Sequence, residues 1–129
     1  MPPELTILAL AALLQFAQLA FTVVLSDLQT GLAYGAGPRD QPRPLTGLAG
    51  RMDRALANHS QALLLFAIAV LLLIHSGGSS PLTTTAAWIY LAARIAYVPA
   101  YGAGIPLLRS LIWAIGQAAT LTILITAIT

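Results

Sequence analysis

Four long segments of this chain are almost free of charged side chains, and this feature constrains the fold more than any other. The predicted helices cover about residues 5–25, 47–75, 81–98 and 107–128. At a rise of 1.5 Å per residue, the first helix is about 31 Å long, which matches the hydrocarbon core of a bilayer. Only 8% of the residues are charged, against about 25% in a soluble domain. The sequence therefore predicts an all-α integral membrane protein, a bundle of four transmembrane helices that forms a single domain over residues 1–129.

Glycine and proline residues mark where these helices end. Residues 26–46 are predicted to form the longest loop, because glycines and prolines disfavour a long helix there. They are Gly31, Gly35, Gly37, Pro38, Pro42 and Pro44. The arginines described below predict that this loop is cytoplasmic. Gly77 and Gly78 stop the second helix, and Ser80 is placed to cap the third. Pro99 disfavours continuation of the third helix.

The positive charges lie on one side of the predicted bundle. All six come from arginine, and the chain has no lysine. The first loop and its edge carry Arg39, Arg43, Arg51 and Arg54, and the third loop is flanked by Arg94 and Arg109. Because cytoplasmic loops carry the excess of positive charge, we expect loops one and three in the cytoplasm and both termini outside. The first two arginines need no role beyond setting this topology.

The composition excludes several kinds of site. The chain has no cysteine, so it has no disulfide, no thiolate metal ligand and no protein thiol nucleophile, although a substrate can still supply a thiol. No metal site is predicted, and no basic tract is typical of a nucleic-acid surface. Glu4 and Asp27 lie at the ends of spans, where a carboxylate needs no special role.

Polar side chains form stripes on two of the predicted helices. Arg54, Asn58 and Gln61 are spaced i, i+4 and i+7, and Arg51 lies one turn earlier. The stripe on the third helix consists of Tyr90, Arg94, Tyr97 and Tyr101. Arg109 stands at the start of the fourth helix. All of these residues lie towards the cytoplasmic end, so the sequence predicts one pocket of guanidinium and hydroxyl donors that suits an anionic ligand.

Each of these residues also has a structural interpretation. Arg54 and Arg94, with the neighbouring amides, could form a hydrogen-bond network between helices, because charge at membrane depth is costly. Tyr97 and Tyr101 could be belt aromatics at the membrane interface, and Arg109 could simply anchor its helix there. His59 turns to a different face and is predicted to be structural, and Trp113 is predicted to pack or to join an aromatic belt.

Two blocks of the sequence resemble the MAPEG family, the membrane-associated proteins in eicosanoid and glutathione metabolism. The first block, over residues 51–61, reads RMDRALANHSQ. The second, over residues 90–101, reads YLAARIAYVPAY and is followed closely by IPLLRS. The specific similarity extends over about residues 47–116, and the two blocks stand in the order and on the helices that the family has.

The resemblance implies a homotrimer of four-helix subunits, with glutathione as co-substrate bound between neighbouring subunits near the cytoplasmic side. Members of the family include glutathione transferases, glutathione peroxidases, a leukotriene synthase and a prostaglandin synthase. By position, the glutathione-binding residues would be Arg51, Arg54, Asn58, Gln61, Arg94, Tyr97 and Tyr101. Arg109 would be the catalytic residue that stabilises the glutathione thiolate. The implied location is a bacterial inner membrane, with lipids and a lipophilic small-molecule substrate as further partners.

One departure from the family pattern leaves an alternative open. Gln61 stands where glutathione-using members usually have a glutamate, positioned for the amino group of the tripeptide, and Ala62 replaces an aromatic residue of some members. The first hypothesis is a glutathione-dependent transferase or peroxidase that acts on a lipophilic electrophile. The second is a non-catalytic protein of the same fold that binds a lipid or another anion. A proton-coupled exporter is disfavoured, because none of the four carboxylates lies deep in a span.

Overall fold

Glycine and proline divide the chain into five helices, which are its only regular secondary structure. The computed structural model describes every residue from 1 to 129. In chain order, the helices are α1 (Pro3–Thr30), α2 (Leu32–Ala36), α3 (Gly47–His75), α4 (Pro81–Gly102) and α5 (Pro106–Ile128). Four of them are long, whereas the short helix α2 lies within residues 26–46.

Helix α1 continues beyond its predicted end, which corrects the predicted loop 26–46. Residues 26–30 contain neither glycine nor proline, so nothing interrupts the helical hydrogen bonds there. The helix ends at Gly31, whose φ of 94° lies in the region that favours glycine. The Gly31 N–H donates to the Asp27 carbonyl at 2.8 Å and closes the last turn. The part of loop one outside any helix is therefore only Gly31 and residues 37–46.

Helix α4 runs through Pro99 to Gly102, beyond the end that the sequence predicted at residue 98. A proline lacks one N–H donor, but it does not prevent its own carbonyl from accepting. The Ala103 N–H donates to the Pro99 carbonyl at 2.9 Å, and Arg51 Nε donates to the Gly102 carbonyl at 2.8 Å. Because these bonds satisfy the last carbonyls, the helix persists for one more turn.

The first turn of α4 is closed by a capping box. The Thr83 N–H donates to Ser80 Oγ at 3.3 Å, and the Ser80 N–H donates to Thr83 Oγ1 at 2.9 Å. Pro81 occupies the first helical position, where its missing N–H would have no partner anyway. The predicted N-cap at Ser80 is confirmed.

The four long helices pack around a core of aromatic, aliphatic and alanine side chains. Helix α4 lies mainly against α5 and α1 mainly against α3, while α3 also contacts α4 and α5, and α1 contacts α4. The Phe66 ring of α3 stacks on the Tyr90 ring of α4, with centroids 3.8 Å apart. Buried alanines such as Ala62, Ala87 and Ala119 let the helices approach closely.

Three of the helices, α1, α3 and α5, are long and apolar enough to cross a membrane. Helix α4 is not among them, because polar side chains such as Thr83 and Arg94 lower its mean hydropathy. Its 22 residues nevertheless give it a length of about 33 Å. Large apolar side chains cover the outer surface, and Leu13, Phe16 and Leu111 are each more than half exposed. Such a surface suits lipid rather than water.

A buried carboxylate ties α1 to the start of α4. The fully buried Glu4 accepts hydrogen bonds from Thr83 Oγ1 at 2.6 Å, Ser79 Oγ at 2.9 Å and Thr84 Oγ1 at 3.2 Å. The N-terminus of α4 adds a favourable dipole for a negative charge. Glu4 is therefore a structural anchor, which corrects the expectation that it has no special role. We call this end of the molecule the Glu4 end.

Amide and imidazole side chains join α1 to α3 halfway along their length. The sequence spacing of Gln15, Gln18 and Thr22 predicts a shared face towards protein, and Gln18 and Thr22 are indeed buried. His59 Nδ1 donates to Gln18 Oε1, and Gln15 Nε2 donates to Ser60 Oγ at 2.6 Å. His59 therefore has a structural contact, as its sequence position predicted.

Candidate functional site

Three helix termini meet at the end of the molecule opposite the Glu4 end, which we call the arginine end. Only residues 103–105 link α4 to α5, so these two helices run side by side in opposite directions. This arrangement places the Arg109 guanidinium carbon 4.7 Å from the centre of the Tyr101 ring. The start of α3 lies against the same end, because Arg51 bonds to the Gly102 carbonyl.

A polar cavity of about 290 Å³ opens at this end between α3, α4 and α5. We call it the arginine cavity. Its lining consists of Arg54, Asn58, Tyr97, Tyr101, Arg109, Ser110 and Trp113. A smaller cleft of about 160 Å³ adjoins it and shares Arg54, Tyr101 and Arg109. Arg51 and the link to α5 complete the cleft.

Tyr101 lies between two guanidinium groups. Arg54 Nε donates to the Tyr101 hydroxyl at 3.2 Å, and the Arg109 guanidinium faces the ring. The Tyr97 ring lies next to Tyr101, with centroids 5.6 Å apart. Two positive charges therefore converge on one wall of the cavity, and the aromatic rings fix their positions.

No carboxylate lines the arginine cavity or the adjoining cleft. The arginine side chains of the protein donate to carbonyl, hydroxyl and amide oxygens, and none of these hydrogen bonds goes to a carboxylate. The positive charge at the arginine end is therefore not neutralised within the chain. Such a site favours an anion, because hydrogen bonds from guanidinium to carboxylate or phosphate are among the strong ones.

Arg94 lies behind the cavity rather than in its wall. Its side chain is only 2% exposed, and Arg94 Nη1 donates to Asn58 Oδ1 at 3.0 Å. Its guanidinium carbon also lies 4.3 Å from the centre of the Tyr97 ring. Because the Asn58 oxygen is occupied by Arg94, the Asn58 amide N–H groups are the ones left for a ligand. Arg94 thus orients two residues of the cavity.

Two of the predicted binding residues have other surroundings. Arg51 lines only the adjoining cleft, where its Nε is already bonded to the end of α4. Gln61 is exposed and lines neither space. It shares a helix face with Arg54, but seven residues separate them, which is about 10 Å along the axis. The cavity ends before that depth. Tyr90, the first residue of the predicted stripe, packs against Phe66 instead.

The structure adds Ser110 and Trp113 to the cavity wall. The sequence analysis assigned Trp113 to packing or to an aromatic belt and did not consider Ser110. Helical spacing could have indicated Trp113, because it follows Arg109 by four residues and therefore lies on the same face of α5, whereas it does not indicate Ser110. The tryptophan gives the otherwise polar cavity one large apolar surface.

Comparison with known proteins gives one match. The model of the MAPEG family matches residues 5–129, which is nearly the whole chain. No curated protein and no solved structure matches the chain. The family match covers all four long helices and every residue of the arginine cavity, and it agrees with the apolar helices described above. The chain is therefore a membrane protein that belongs to the MAPEG family.

Proposed function

We propose that this protein is a glutathione-dependent membrane transferase or peroxidase that acts on a lipophilic electrophile. The observation that carries the proposal is the convergence of Arg54 and Arg109 on Tyr101 in a cavity without a carboxylate. Membership of the MAPEG family, which includes proteins of glutathione metabolism, supports glutathione as the anion.

Thiol activation is the chemical task of Arg109 in this proposal. A free thiol has a pKa of about 8.5, so only a few per cent is thiolate near pH 7. Lowering that pKa by about two units requires about 2.7 kcal/mol of preferential stabilisation of the anion. A guanidinium in a partly dry cavity can supply this, because the surrounding dielectric is lower than that of water.

The remaining residues of the cavity would bind and orient the tripeptide. Glutathione carries two carboxylates, and Arg54 of the cavity and Arg51 of the adjoining cleft offer guanidinium donors for them. The Asn58 amide and the hydroxyls of Tyr97 and Tyr101 add hydrogen-bond donors. Arg94 acts behind them, because it holds the Asn58 oxygen.

The electrophile would arrive from the bilayer. Trp113 lines the cavity and is 43% exposed, so its ring is open both to the cavity and to the outer surface of α5. In the transferase reaction, the thiolate sulfur forms a bond to the electrophilic carbon. In a substitution, the leaving group departs with its electron pair; in an addition to a double bond, the electron pair of that bond moves to the neighbouring carbon, which takes up a proton. In the peroxidase reaction, the thiolate sulfur forms a bond to a peroxide oxygen, the O–O bond breaks, and the leaving alkoxide takes up a proton to become an alcohol. The resulting sulfenic acid then reacts with a second glutathione to give the disulfide and water.

The proposal includes a four-span homotrimer in a bacterial inner membrane, with both termini outside and loops one and three in the cytoplasm. In this arrangement α4 is the third of four spans in chain order, and its exposed side chains Leu82, Trp88 and Ile95 are apolar. The exposed Gln61 and the open arginine cavity support a site that another subunit helps to build. The six arginines support the orientation.

The decisive experiment is an ultraviolet difference spectrum of the purified protein in detergent as glutathione is added. We expect a saturable thiolate band that Arg109→Ala abolishes, whereas Arg109→Lys keeps part of it because the charge remains. Melting curves of the three proteins show that the variants are folded. Absence of the band from the wild-type protein at millimolar glutathione, or an unchanged band in Arg109→Ala, would contradict the assignment.

A second candidate function is binding of a lipid or another anion without catalysis. It is favoured by one observation, namely that no carboxylate lines the cavity to receive the ammonium group of glutathione, because Gln61 is uncharged and lies outside it. The two functions are distinguished by whether glutathione competes with an anionic phospholipid for the arginine cavity. The second function is supported if an anionic phospholipid binds to the protein, glutathione does not displace it, and glutathione gives no thiolate band.

A further inference from the structure

A second cavity, of about 340 Å³, lies between the C-terminal half of α1, helix α2, loop one and α3. We call it the loop cavity. It shares no residue with the arginine cavity. Its polar lining consists of Thr22, Ser26, Asp27, Thr30, Tyr34, Arg39, Arg43 and Asp53. Neither the family match nor the proposed function assigns it a ligand.

The loop cavity contains equal numbers of positive and negative side chains, but the arginines do not bond to the carboxylates. Arg39 donates twice to the Gly35 carbonyl, at 3.1 and 2.6 Å, and Arg43 Nη1 donates to the Thr30 carbonyl at 2.9 Å. The half-buried Asp27 and the exposed Asp53 receive no side-chain hydrogen bond. Both carboxylates therefore remain free to receive a cation.

The two arginines are held in place with donors to spare. Arg43 lies 4.6 Å over the Tyr34 ring, and its backbone N–H donates to the Tyr34 hydroxyl at 2.9 Å. Arg43 uses one terminal nitrogen for the Thr30 carbonyl, which leaves the other free. A guanidinium fixed in this way suits a phosphate, because little further ordering is needed on binding.

Thr22 is an independent sign of a missing partner. It is only 5% exposed and lines the cavity, yet its hydroxyl makes no hydrogen bond within the chain. The hydroxyl of Thr30, two turns later on the same helix, instead donates a hydrogen bond to the Ser26 carbonyl at 2.8 Å. Because Thr22 lines the cavity and its hydroxyl has no partner within the chain, that hydroxyl can form a hydrogen bond with a ligand in the cavity.

The walls nearest the middle of α1 are apolar and open to the outside. Leu19 and Val23 line the cavity, and they are 43% and 48% exposed. They belong to the outer surface of α1 that suits lipid. A ligand that reaches the charged part of the cavity from this side therefore needs an apolar tail, which distinguishes a lipid from a soluble zwitterion.

We propose that the loop cavity binds the headgroup of a zwitterionic phospholipid with a primary ammonium group, of the phosphoethanolamine kind. The ammonium group binds between Asp27 and Asp53 and donates to their carboxylates. The phosphate binds to the free donors of Arg39 and Arg43. One acyl chain lies along Leu19 and Val23.

The test compares three phospholipids with the same acyl chains, added to the full-length protein in detergent. The headgroups are phosphoethanolamine, phosphocholine and phosphoglycerol, and the readouts are the thermal midpoint and the lipid retained in native mass spectra. We expect the largest upward shift and retention with phosphoethanolamine. Phosphocholine should give less because its quaternary ammonium has no N–H, and phosphoglycerol should give less because it has no cation. Equal effects of all three headgroups would overturn the proposal.

Matched variants locate the effect. Two variants should lose most of the advantage of phosphoethanolamine over phosphoglycerol. They are the single variant Asp53→Asn and the double variant that combines Asp27→Asn with Asp53→Asn. The control is Asp40→Asn, which removes a carboxylate of the same loop that lies outside the loop cavity but close to Arg39 and Arg43. It should leave the advantage of phosphoethanolamine over phosphoglycerol unchanged, because both headgroups carry the phosphate and only the ammonium group binds the cavity carboxylates. Since Asp53 is exposed, its single variant tests the proposal even if the double variant fails to fold. An advantage that survives in Asp53→Asn and in the double variant would contradict the assignment.

A further arm identifies the source of the ligand. Phosphoethanolamine without acyl chains should give a far smaller shift, because it lacks contact with the apolar wall. An equal shift with this soluble compound would overturn the assignment to a lipid. Thr22→Val should reduce lipid retention while keeping the size of the side chain, and unchanged retention would contradict the role of the hydroxyl.

Discussion

At the scale of single residues, the hydrogen bond from Arg94 to Asn58 determines which groups Asn58 offers to a ligand. Removing Arg94 frees the Asn58 oxygen, so the amide can rotate and lose its donor orientation. We expect Arg94→Met and Asn58→Ala each to weaken glutathione binding. Because the two residues act together, the double variant should lose less binding free energy than the sum of the losses of the two single variants. We expect a coupling energy of about 0.5–3 kcal/mol.

The measurement for this pair is a double-mutant cycle on glutathione dissociation constants, with the melting temperature recorded in parallel. A purely structural Arg94 would lower the melting temperature and leave the Asn58→Ala effect on binding unchanged. Strictly additive effects would therefore show that Arg94 does not position Asn58.

Glu4 gives a second prediction at this scale. Glu4→Ala removes the acceptor for the hydroxyls of Ser79, Thr83 and Thr84. Because buried donors are left without a partner, we expect a loss of about 1–3 kcal/mol in stability. The measurement is unfolding in mixed micelles, with Asp40→Asn as control, since an exposed carboxylate should change stability by less than about 0.5 kcal/mol. Similar stability of the two variants would contradict the anchor role.

The sequence could place some residues at the site and not others. Helical spacing correctly put Arg54 and Asn58 on one face of α3, and both line the arginine cavity. The same spacing included Gln61, but spacing says nothing about the depth at which a cavity ends. Trp113 was missed because an aromatic residue near a membrane interface has a common structural explanation.

At the scale of helices, the conformation of Gly31 determines where α1 ends. Its φ of 94° strains any residue with a Cβ, so we expect Gly31→Ala to cost about 1–3 kcal/mol. The matched control is Gly116→Ala in α5, where an added Cβ would meet the Ala93 side chain at an ordinary 3.6 Å. That change should be neutral or stabilising, because alanine favours a helix over glycine by up to about 1 kcal/mol. Thermal unfolding of both variants tests this contrast, and equal losses would contradict it.

Helix ends were harder to predict than helix positions. The chain continues as a helix through residues 26–30, which contain neither glycine nor proline, so the sequence could have indicated this extension. The turn past Pro99 could not be predicted in the same way, because its last carbonyl is bonded to Arg51 of another helix. The contact between Gln18 and His59 depends on how α1 is rotated against α3, and a single sequence contains no record of that rotation.

At the scale of the whole molecule, the proposed homotrimer rests on the resemblance of residues 51–61 and 90–101 to the MAPEG family and on the open arginine cavity of the single chain. Native mass spectrometry in detergent should give a protein mass three times the 13.5 kDa of one chain. We expect the trimer to persist in Arg109→Ala, because that residue lies in the arginine cavity and its proposed role is catalytic. A monomer that shows the full thiolate band would contradict the shared site.

The course of α4 determines how many times the chain crosses the membrane. Its start is bonded to Glu4, near the beginning of α1, and its end is bonded to Arg51, near the beginning of α3. Helix α4 must therefore run the full length of the bundle, although its composition alone does not identify it as a span. Four crossings place both termini on one side, whereas three would place them on opposite sides.

The absence of cysteine makes this topology directly measurable. In intact cells, the proposed topology predicts that a membrane-impermeant maleimide labels Thr129→Cys at the C-terminus and leaves Gln41→Cys in loop one unlabelled until the membrane is opened. Both positions are exposed, so burial cannot explain a difference between them. Labelling of Gln41→Cys alone would reverse the orientation. A third variant, Met1→Cys with a new start residue before it, reports the side of the N-terminus. If Met1→Cys and Thr129→Cys were labelled from opposite sides of the membrane, the chain would have an odd number of spans. In that case α4 would not be one of four spans.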